Sequence, residues 1–187
     1  MAQVSTSEFK AGLKVEIDRE PYAMVSNEFV KPGKGQPFNR VKLKHLKTGR
    51  VMEKTYRSGE KLELADVEEA KMRMLYRERE DFVFMDEKTY EQHTVTEAAI
   101  GDNAKWCMDD VEYDLVFYKG EVIDLVPPTF MEMIITETAP GLRGDTSGRV
   151  LKPAVLETGA KVQVPIFIDQ GEKIKVDTRT GEYVSRV

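Results

Sequence analysis

The chain has 187 residues, 41% of them hydrophobic and 33% charged, with a net charge of −5. That balance fits one or two folded domains and excludes wholesale disorder, and with no run of about 18 apolar residues no membrane-spanning helix is expected. A single cysteine, Cys107, excludes an internal disulfide framework; with only two histidines beside it, a structural zinc site is not expected.

The elements are mostly strands. Leu13–Ile17 alternates apolar and polar residues, as a half-buried strand does. Tyr22–Val30 and Phe38–Leu46 follow. In the second, Val41, Leu43 and His45 share one face, and Arg40, Lys42 and Lys44 share the other. Arg50–Arg57 continues the pattern. Met72, Met74 and Tyr76 alternate and are expected to fill a second core. Phe82–Met85 leads to a turn at Asp86-Glu87-Lys88, and a short helix is expected from Thr96 to Ile100. Leu115–Tyr118 and Val122–Leu125 make a hairpin around Lys119-Gly120, and Pro127-Pro128 then acts as a rigid linker. Phe130–Ile135, Lys161–Ile168, Glu172–Val176 and Tyr183–Val187 are the remaining strands. Strands at this spacing, broken by Gly and Pro, predict small barrels, with units at 1–64, 65–127 and 128–187.

Charge is distributed unevenly. Residues 1–64 carry 13 Lys and Arg against 8 Asp and Glu, residues 65–127 carry 7 against 17, and residues 128–187 carry 8 against 8. Within 31–57 there are nine basic residues and one acid, Glu53. A cationic block beside an anionic one suggests that one end meets a polyanion while the middle avoids it, so Arg40, Lys42 and Lys44 form a candidate face for nucleic acid.

Lys31-Pro32-Gly33-Lys34-Gly35-Gln36-Pro37 joins two strands and is therefore a hairpin tip. The prolines stiffen its base and the glycines clear the space around Lys34. The segment leads into a strand rather than a helix, so it is not a nucleotide-cradling P-loop. Such an isolated ammonium can reach a phosphate or be gripped by a modifying enzyme. The remaining chemistry is sparse. His45 alternates with core residues, His93 has no partner visible in the sequence, and Cys107 sits between Trp106 and Met108 as a small buried hydrophobe. No nucleophile triad, metal cluster or carboxylate pair stands out, and no cofactor is called for.

Together these residues resemble one family along the whole chain, bacterial translation elongation factor P. The tip Lys31-Pro-Gly-Lys34-Gly-Gln36 looks like its modified-lysine loop, and Gly101-Asp-Asn-Ala-Lys-Trp106 is similar to a block in its middle domain. The C-terminal signature is the most specific: Lys152-x-Ala154, Gly159, Val162-x-Val164-Pro165, Ile168 and Gly171, then Val176-Asp177-Thr178-Arg179 and Gly181-Glu-Tyr-Val-Ser-Arg186. After Gly148, the bulky Arg149, Val150 and Leu151 depart from the smaller residues of the family pattern.

The resemblance implies an all-β chain of three barrels, an SH3-like (KOW-like) barrel followed by two OB-folds. It implies a non-enzymatic, cytoplasmic, monomeric factor that binds both ribosomal subunits, ribosomal RNA and peptidyl-tRNA between the peptidyl-tRNA and exit sites, and relieves stalling at consecutive prolines. Lys34 would carry a modification, commonly a β-lysyl group, added by an enzyme resembling a lysyl-tRNA synthetase, with Lys31, Pro32, Gly33, Gly35 and Gln36 supporting it. Gly144-Asp145-Thr146 resembles the loop near the exit-site codon, and Tyr183 and Arg186 match tail positions linked to small-subunit contact. The competing readings are a general single-stranded-RNA-binding protein or RNA chaperone, and, remotely, a hydrolase using His45 or Cys107.

Overall fold

Alternation of buried and exposed residues governs nearly every element of the computed structural model, which describes residues 2–143 and 149–187. In chain order the strands are β1 (Gln3–Ser5), β2 (Lys14–Ile17), β3 (Glu20–Val30), β4 (Phe38–His45), β5 (Val51–Arg57), β6 (Lys61–Leu64), β7 (Val67–Glu78), β8 (Asp81–Asp86), β9 (Gln92–Thr96), β10 (Glu112–Tyr118), β11 (Glu121–Val126), β12 (Phe130–Thr138), β13 (Leu151–Leu156), β14 (Lys161–Pro165), β15 (Lys173–Asp177) and β16 (Glu182–Arg186). One short helix, α1 (Glu97–Ile100), and two 3-10 turns (Thr6–Glu8 and Gly101–Trp106) complete the described residues. The strands form three sheets, ordered β1-β6-β2-β3-β4-β5, β11-β10-β7-β8-β9 and β14-β13-β12-β15-β16. The protein is all-β, as the sequence predicts.

The chain divides into two compact units, residues 1–70 with 115–124, and residues 71–114 with 125–187. The first holds a core of Val4, Phe9, Val15, Ile17, Met24, Val41, Leu43 and Tyr56. Its β2–β3 turn places Asp18 and Arg19 both at positive φ (52° and 64°), as a two-residue hairpin loop of type I′ requires. The turn end of the β10–β11 hairpin, residues 115–124, belongs to this unit, where Val116, Tyr118 and Ile123 pack on Leu46, Ala65 and Val67.

In the second unit α1 is capped by Thr96, whose hydroxyl accepts from Ala99 N, and Gly101 at φ +68° ends it. The Asp86 carboxylate organises the β8–β9 turn by accepting from Lys88 N at 2.8 Å and Thr89 N at 3.3 Å. Trp106 is 2% exposed, and its carbonyl accepts from the Tyr113 hydroxyl at 2.6 Å. Met131, Met133, Ile135, Ala154, Leu156, Val162, Val164, Ile168, Ile174 and Val176 are buried by the last sheet. Pro128, in the predicted rigid segment, uses its carbonyl to accept the Thr178 hydroxyl at 2.7 Å.

Several expectations need correction. Met72 and Met74 are buried, but Tyr76 is 46% exposed. Met74 pairs with Phe84 and Tyr76 with Val83, so Leu75 is an extra residue that reverses the alternation, a β-bulge. The strand expected over Lys161–Ile168 stops at Pro165, whose carbonyl accepts from Ile168 N at 3.1 Å in a turn. β1, β6, β9 and β13 have no counterpart among the expected strands, and the bulky Leu151 opens β13. His93 has a carboxylate near it, Glu91 at 3.9 Å.

One buried carboxylate ties the hairpin into the first unit. Glu16, with its side chain 8% exposed, accepts from the Tyr118 hydroxyl at 2.6 Å and lies 3.3 Å from Lys119 Nζ. The Tyr118 hydrogen bond, aided by Lys119 and Arg19, holds the Glu16 carboxyl below its ordinary value of 4.5 against the opposing effect of desolvation. The stabilisation is present above that ordinary value and is lost as the pH falls through the lower, folded one. Tyr118→Phe should therefore destabilise the unit by about 1.5 kcal/mol near neutral pH. The deficit should shrink as the pH drops below 4.5. Urea unfolding of both proteins at neutral and acid pH checks this; equal midpoints at neutral pH would refute it.

Candidate functional site: a lysine at the end of a rigid arm

β3 and β4 pair from Tyr22 with His45 out to Val30 with Phe38. At about 3.3 Å per residue, the 11-residue β3 is an arm roughly 36 Å long. Its base is fixed in the core through Met24, Val41 and Leu43, all at most 2% exposed. His45 closes the base, with its Nδ1 accepting from Lys47 N and Thr48 N at 3.2 Å and its ring edge-on to Tyr22. That histidine is occupied as a turn acceptor and is half-buried, where the sequence predicts a core position.

Residues 31–37 form the tip. Lys31, Gly33, Lys34, Gly35 and Gln36 are exposed, while Pro32 and Pro37 are half-buried. The Lys31 ammonium lies 5.6 Å from the Phe29 ring centroid. Lys34 forms no ion pair with any described residue. The two glycines differ. Gly35 sits at φ +109° with the Pro32 ring 3.7 Å from where a Cβ would stand, whereas Gly33 has ordinary φ and open space. The tip conformation therefore depends on Gly35, while Gly33 serves only to leave open space.

Along β4, Arg40, Lys42 and Lys44 are exposed opposite buried Asn39, Val41 and Leu43. They are not equivalent. Arg40 lies 3.4 Å from Glu28 and 3.7 Å from Glu53, so its charge is partly answered. Lys42 and Lys44 form no ion pair with a described residue.

The C-terminal candidates separate. Gly144, Asp145 and Thr146 lie outside the described residues. Tyr183 lines a groove of about 830 Å³ with Leu151, Pro153, Pro165 and Phe167. Burial pushes its hydroxyl above the ordinary tyrosine value. Arg186 pairs with Glu172 and stands 5.7 Å from the Phe167 centroid, which brings it to the same groove.

The most specific sequence signature proves to be structural. Lys152 is 8% exposed and donates to the Ala139 carbonyl; Ala154, Val162, Val164, Ile168 and Val176 are core. Asp177 accepts from Arg179 in a turn. Cys107 is buried, its thiol pushed up to about 12 by desolvation, so it stays protonated and unreactive at neutral pH. Among the described residues no three His, Cys, Asp or Glu side chains come together to hold a metal.

Two features were absent from the sequence reading. Phe29 is 52% exposed beside the tip, and Asn39 is a polar residue on the otherwise apolar face of β4, 3% exposed. The second was legible, since Asn39 precedes Val41 and Leu43 at strand spacing.

The fold is shared with two solved structures. A structure titled "Eukaryotic translation initiation factor 5A from Methanococcus jannaschii" superposes with a TM-score of 0.54 at 23% identity, covering 67% of this chain and 96% of that one. A "translation initiation factor eif-5a family protein" from Naegleria fowleri gives 0.54 at 13% identity, over 67% and 97%. Family models place an elongation factor P KOW-like domain at residues 5–62, an OB domain at 67–125 and an elongation factor P C-terminal domain at 131–186. The class is thus a β-domain translation factor with a KOW-like domain followed by OB architecture.

Full-length relatives narrow it further. Proteins named elongation factor P 2 are 65% identical in Protochlamydia amoebophila, 58% in Chlamydia pneumoniae and 57% in Chlamydia trachomatis, each over 100% of this chain and 99% of the relative. The chain belongs to the elongation factor P family, and is a translation elongation factor rather than an enzyme.

Gly35→Val should distort the tip and Gly33→Val should not, because only Gly35 needs positive φ, at a strain of about 1–3 kcal/mol for a side chain there. In amide NMR spectra, Gly35→Val should move the signals of residues 31–37 well beyond the mutated position with the core signals unchanged. Indistinguishable spectra for the two variants would show the tip to be conformationally indifferent.

Proposed function

We propose that this factor binds the ribosome between the peptidyl-tRNA and exit sites, and stimulates peptide-bond formation at consecutive prolines by positioning the peptidyl-tRNA. The observation that carries this reading is Lys34 itself: an exposed ammonium with no ion pair to a described residue, at the end of an arm whose base is locked in a core. Proline reacts poorly because its ring restricts the backbone. Holding the tRNA end in a productive geometry lowers an entropic barrier and needs neither base nor nucleophile. A rigid arm with a cationic end has the properties that task requires.

Lys34 is the residue to be modified, with a β-lysyl group or a similar extension, by an enzyme resembling a lysyl-tRNA synthetase. Pro32 and Pro37 stiffen the tip, while Lys31, Gly33, Gly35 and Gln36 leave the amine accessible. Arg40, Lys42 and Lys44 supply phosphate contacts to tRNA or ribosomal RNA. Gly144, Asp145 and Thr146 serve near the exit-site codon, and Tyr183 and Arg186 meet the small subunit. The working modules are 1–64, 65–127 and 128–187, in a monomer acting in the cytoplasm.

Lys34→Ala and Lys34→Arg should both abolish stimulation of a Pro-Pro-Pro reporter with the fold intact, since arginine keeps the charge but loses the acylatable amine. Intact-mass measurement of the native protein and peptide mapping of residues 31–40 should place the added mass on Lys34. Full activity of Lys34→Arg would sink the modified-lysine mechanism.

The basic face makes a separate prediction. Lys42→Gln with Lys44→Gln should weaken ribosome binding and flatten its salt dependence, each lost phosphate contact removing roughly 0.7–0.9 from the logarithmic slope. Stability should change by no more than about 0.5 kcal/mol, as for other exposed substitutions. An unchanged slope would reduce this face to a solvated surface.

A further inference from the structure

Beyond its apolar core, the inner face of the first sheet turns polar. β3 places Phe29 opposite Asn39, and Asn27 opposite Val41. A cavity of about 430 Å³ opens there, with Ser5, Thr6, Asn27, Phe29, Asn39 and Ser58 among its walls. That volume falls within the range of small-molecule sites, about 300–1,000 Å³. No charged side chain lines it.

Asn39 is 3% exposed, and its amide nitrogen is fully engaged. It donates to Asn27 Oδ1 at 2.9 Å and to the Thr6 carbonyl at 3.4 Å, while Asn27 donates to the Phe9 carbonyl at 3.0 Å. This chain of donors fixes the orientation of both amides. Asn39 Oδ1 accepts from no donor among the described residues and is not sealed from solvent, so a donor entering the cavity can reach it.

On the rim Phe29 offers a flat, half-exposed face, with the Lys31 ammonium 5.6 Å from its centroid. Arg57 and Lys61 flank the Ser58-Gly59 turn, and with Lys31 they outnumber the neighbouring acids Glu8 and Glu60. The Glu8 carboxylate is already engaged by Ser5, accepting from its backbone N at 2.9 Å and its hydroxyl at 3.1 Å. A neutral hydrogen-bonding floor, an aromatic wall and a cationic rim match a nucleobase whose phosphate stays outside.

We propose that this cavity takes one unpaired RNA base bearing an exocyclic amino group, such as adenine or cytosine, in preference to uracil. The amino group donates to Asn39 Oδ1 and the ring stacks on Phe29. Uracil fits less well, because carbonyl oxygens flank its N–H and would face the Asn39 oxygen. The inference rests on the reading that this domain works against RNA, and it gives that contact a base preference which the phosphate-binding face cannot supply.

The test is titration of the ¹⁵N-labelled full chain with AMP, CMP, UMP and ribose 5-phosphate, following the side-chain amides of Asn27 and Asn39 and the backbone amides of Ser58 and Gly59. AMP or CMP should shift these signals saturably, UMP should bind at least about fivefold more weakly, and ribose 5-phosphate should leave them in place. Phe29→Ala should weaken AMP about tenfold, with the Asn39 amide signals of the free protein unmoved, which shows the floor intact. Absence of shifts at millimolar nucleotide, or equal shifts with ribose 5-phosphate, overturns the site. So does UMP binding as tightly as AMP. Absent nucleotide shifts in a protein that still shows Lys34-dependent stimulation of proline synthesis overturn the cavity and spare the proposed function. Nucleotide shifts in a protein whose Lys34→Ala variant is fully active support the cavity and overturn that function.

Discussion

The register between β3 and β4 is the constraint on which the arm depends. A strand has a side-chain period of two, so a slip by one residue exchanges its faces. As paired, Met24 meets Leu43 and Val41 faces the same side, so these three seal the core, with Asn27 opposite Val41 where that face turns polar. Arg40, Lys42 and Lys44 then have to face outward, and Val30 meets Phe38 at the point where the tip begins. Slipped by one position, the core would receive charges and the arm would lose its basic face. The bulge between Met24 and Ser26 adjusts the alternation once, near the base, and beyond it the ladder runs one-to-one to the tip. Core packing at one end therefore sets the position of an ammonium at the other, with no contact needed between them.

The titratable groups that the fold buries are spent on packing and turns. Its one thiol is buried and held protonated by desolvation. His45 spends its Nδ1 lone pair on two backbone N–H groups at the arm's base. Tyr56 and Tyr113 are buried hydroxyls whose ionisation is pushed well above the ordinary tyrosine range. All four of these groups are taken up by packing or turn contacts. The free cations lie outside, on the arm, where they are solvated and able to exchange water for phosphate.

Much of this was legible in the sequence, and the failures have physical causes. Strands with strict alternation, such as Lys14–Ile17 and Phe38–His45, declare themselves, as do turns built on Lys119-Gly120 or capped by Thr96. The position of Tyr76 was not legible, because a bulge is a property of pairing and leaves no mark on one strand read alone. β13 was hidden by Pro153, a residue that ordinarily argues against an inner strand. In the fold its ladder to β12 ends at Ala154, so on that side the missing N–H removes no bond, and the Pro153 carbonyl still accepts from the Thr138 hydroxyl at 2.9 Å. At the tip the spacing of glycines around Lys34 was plain, but which glycine carries the strained φ was not, since both sit in the same local sequence. Of the C-terminal signature, the most specific pattern in the chain, the stretch from Lys152 to Arg179 marks core and turns, while its tail, Gly181 to Arg186, lies at the groove.

The grading of charge along the arm follows from what pairs with what. Arg40 stands between Glu28 and Glu53, and an exposed guanidinium so placed contributes at most about 1 kcal/mol to stability while much of its field is cancelled. Lys42 stands opposite Glu53 in the ladder without forming an ion pair with it, and neither Lys44 nor Lys34 forms an ion pair with a described residue. An arm whose purpose was its own stability would pair every cation. Here the pairing is confined to Arg40, and the uncompensated charge is kept on the two lysines of the same face and on the apex. Screening acts over about 8–10 Å at physiological salt, so each of these ammonium groups acts on what it touches and little beyond. Lys34, at the apex, therefore acts only on a group brought into contact with the tip.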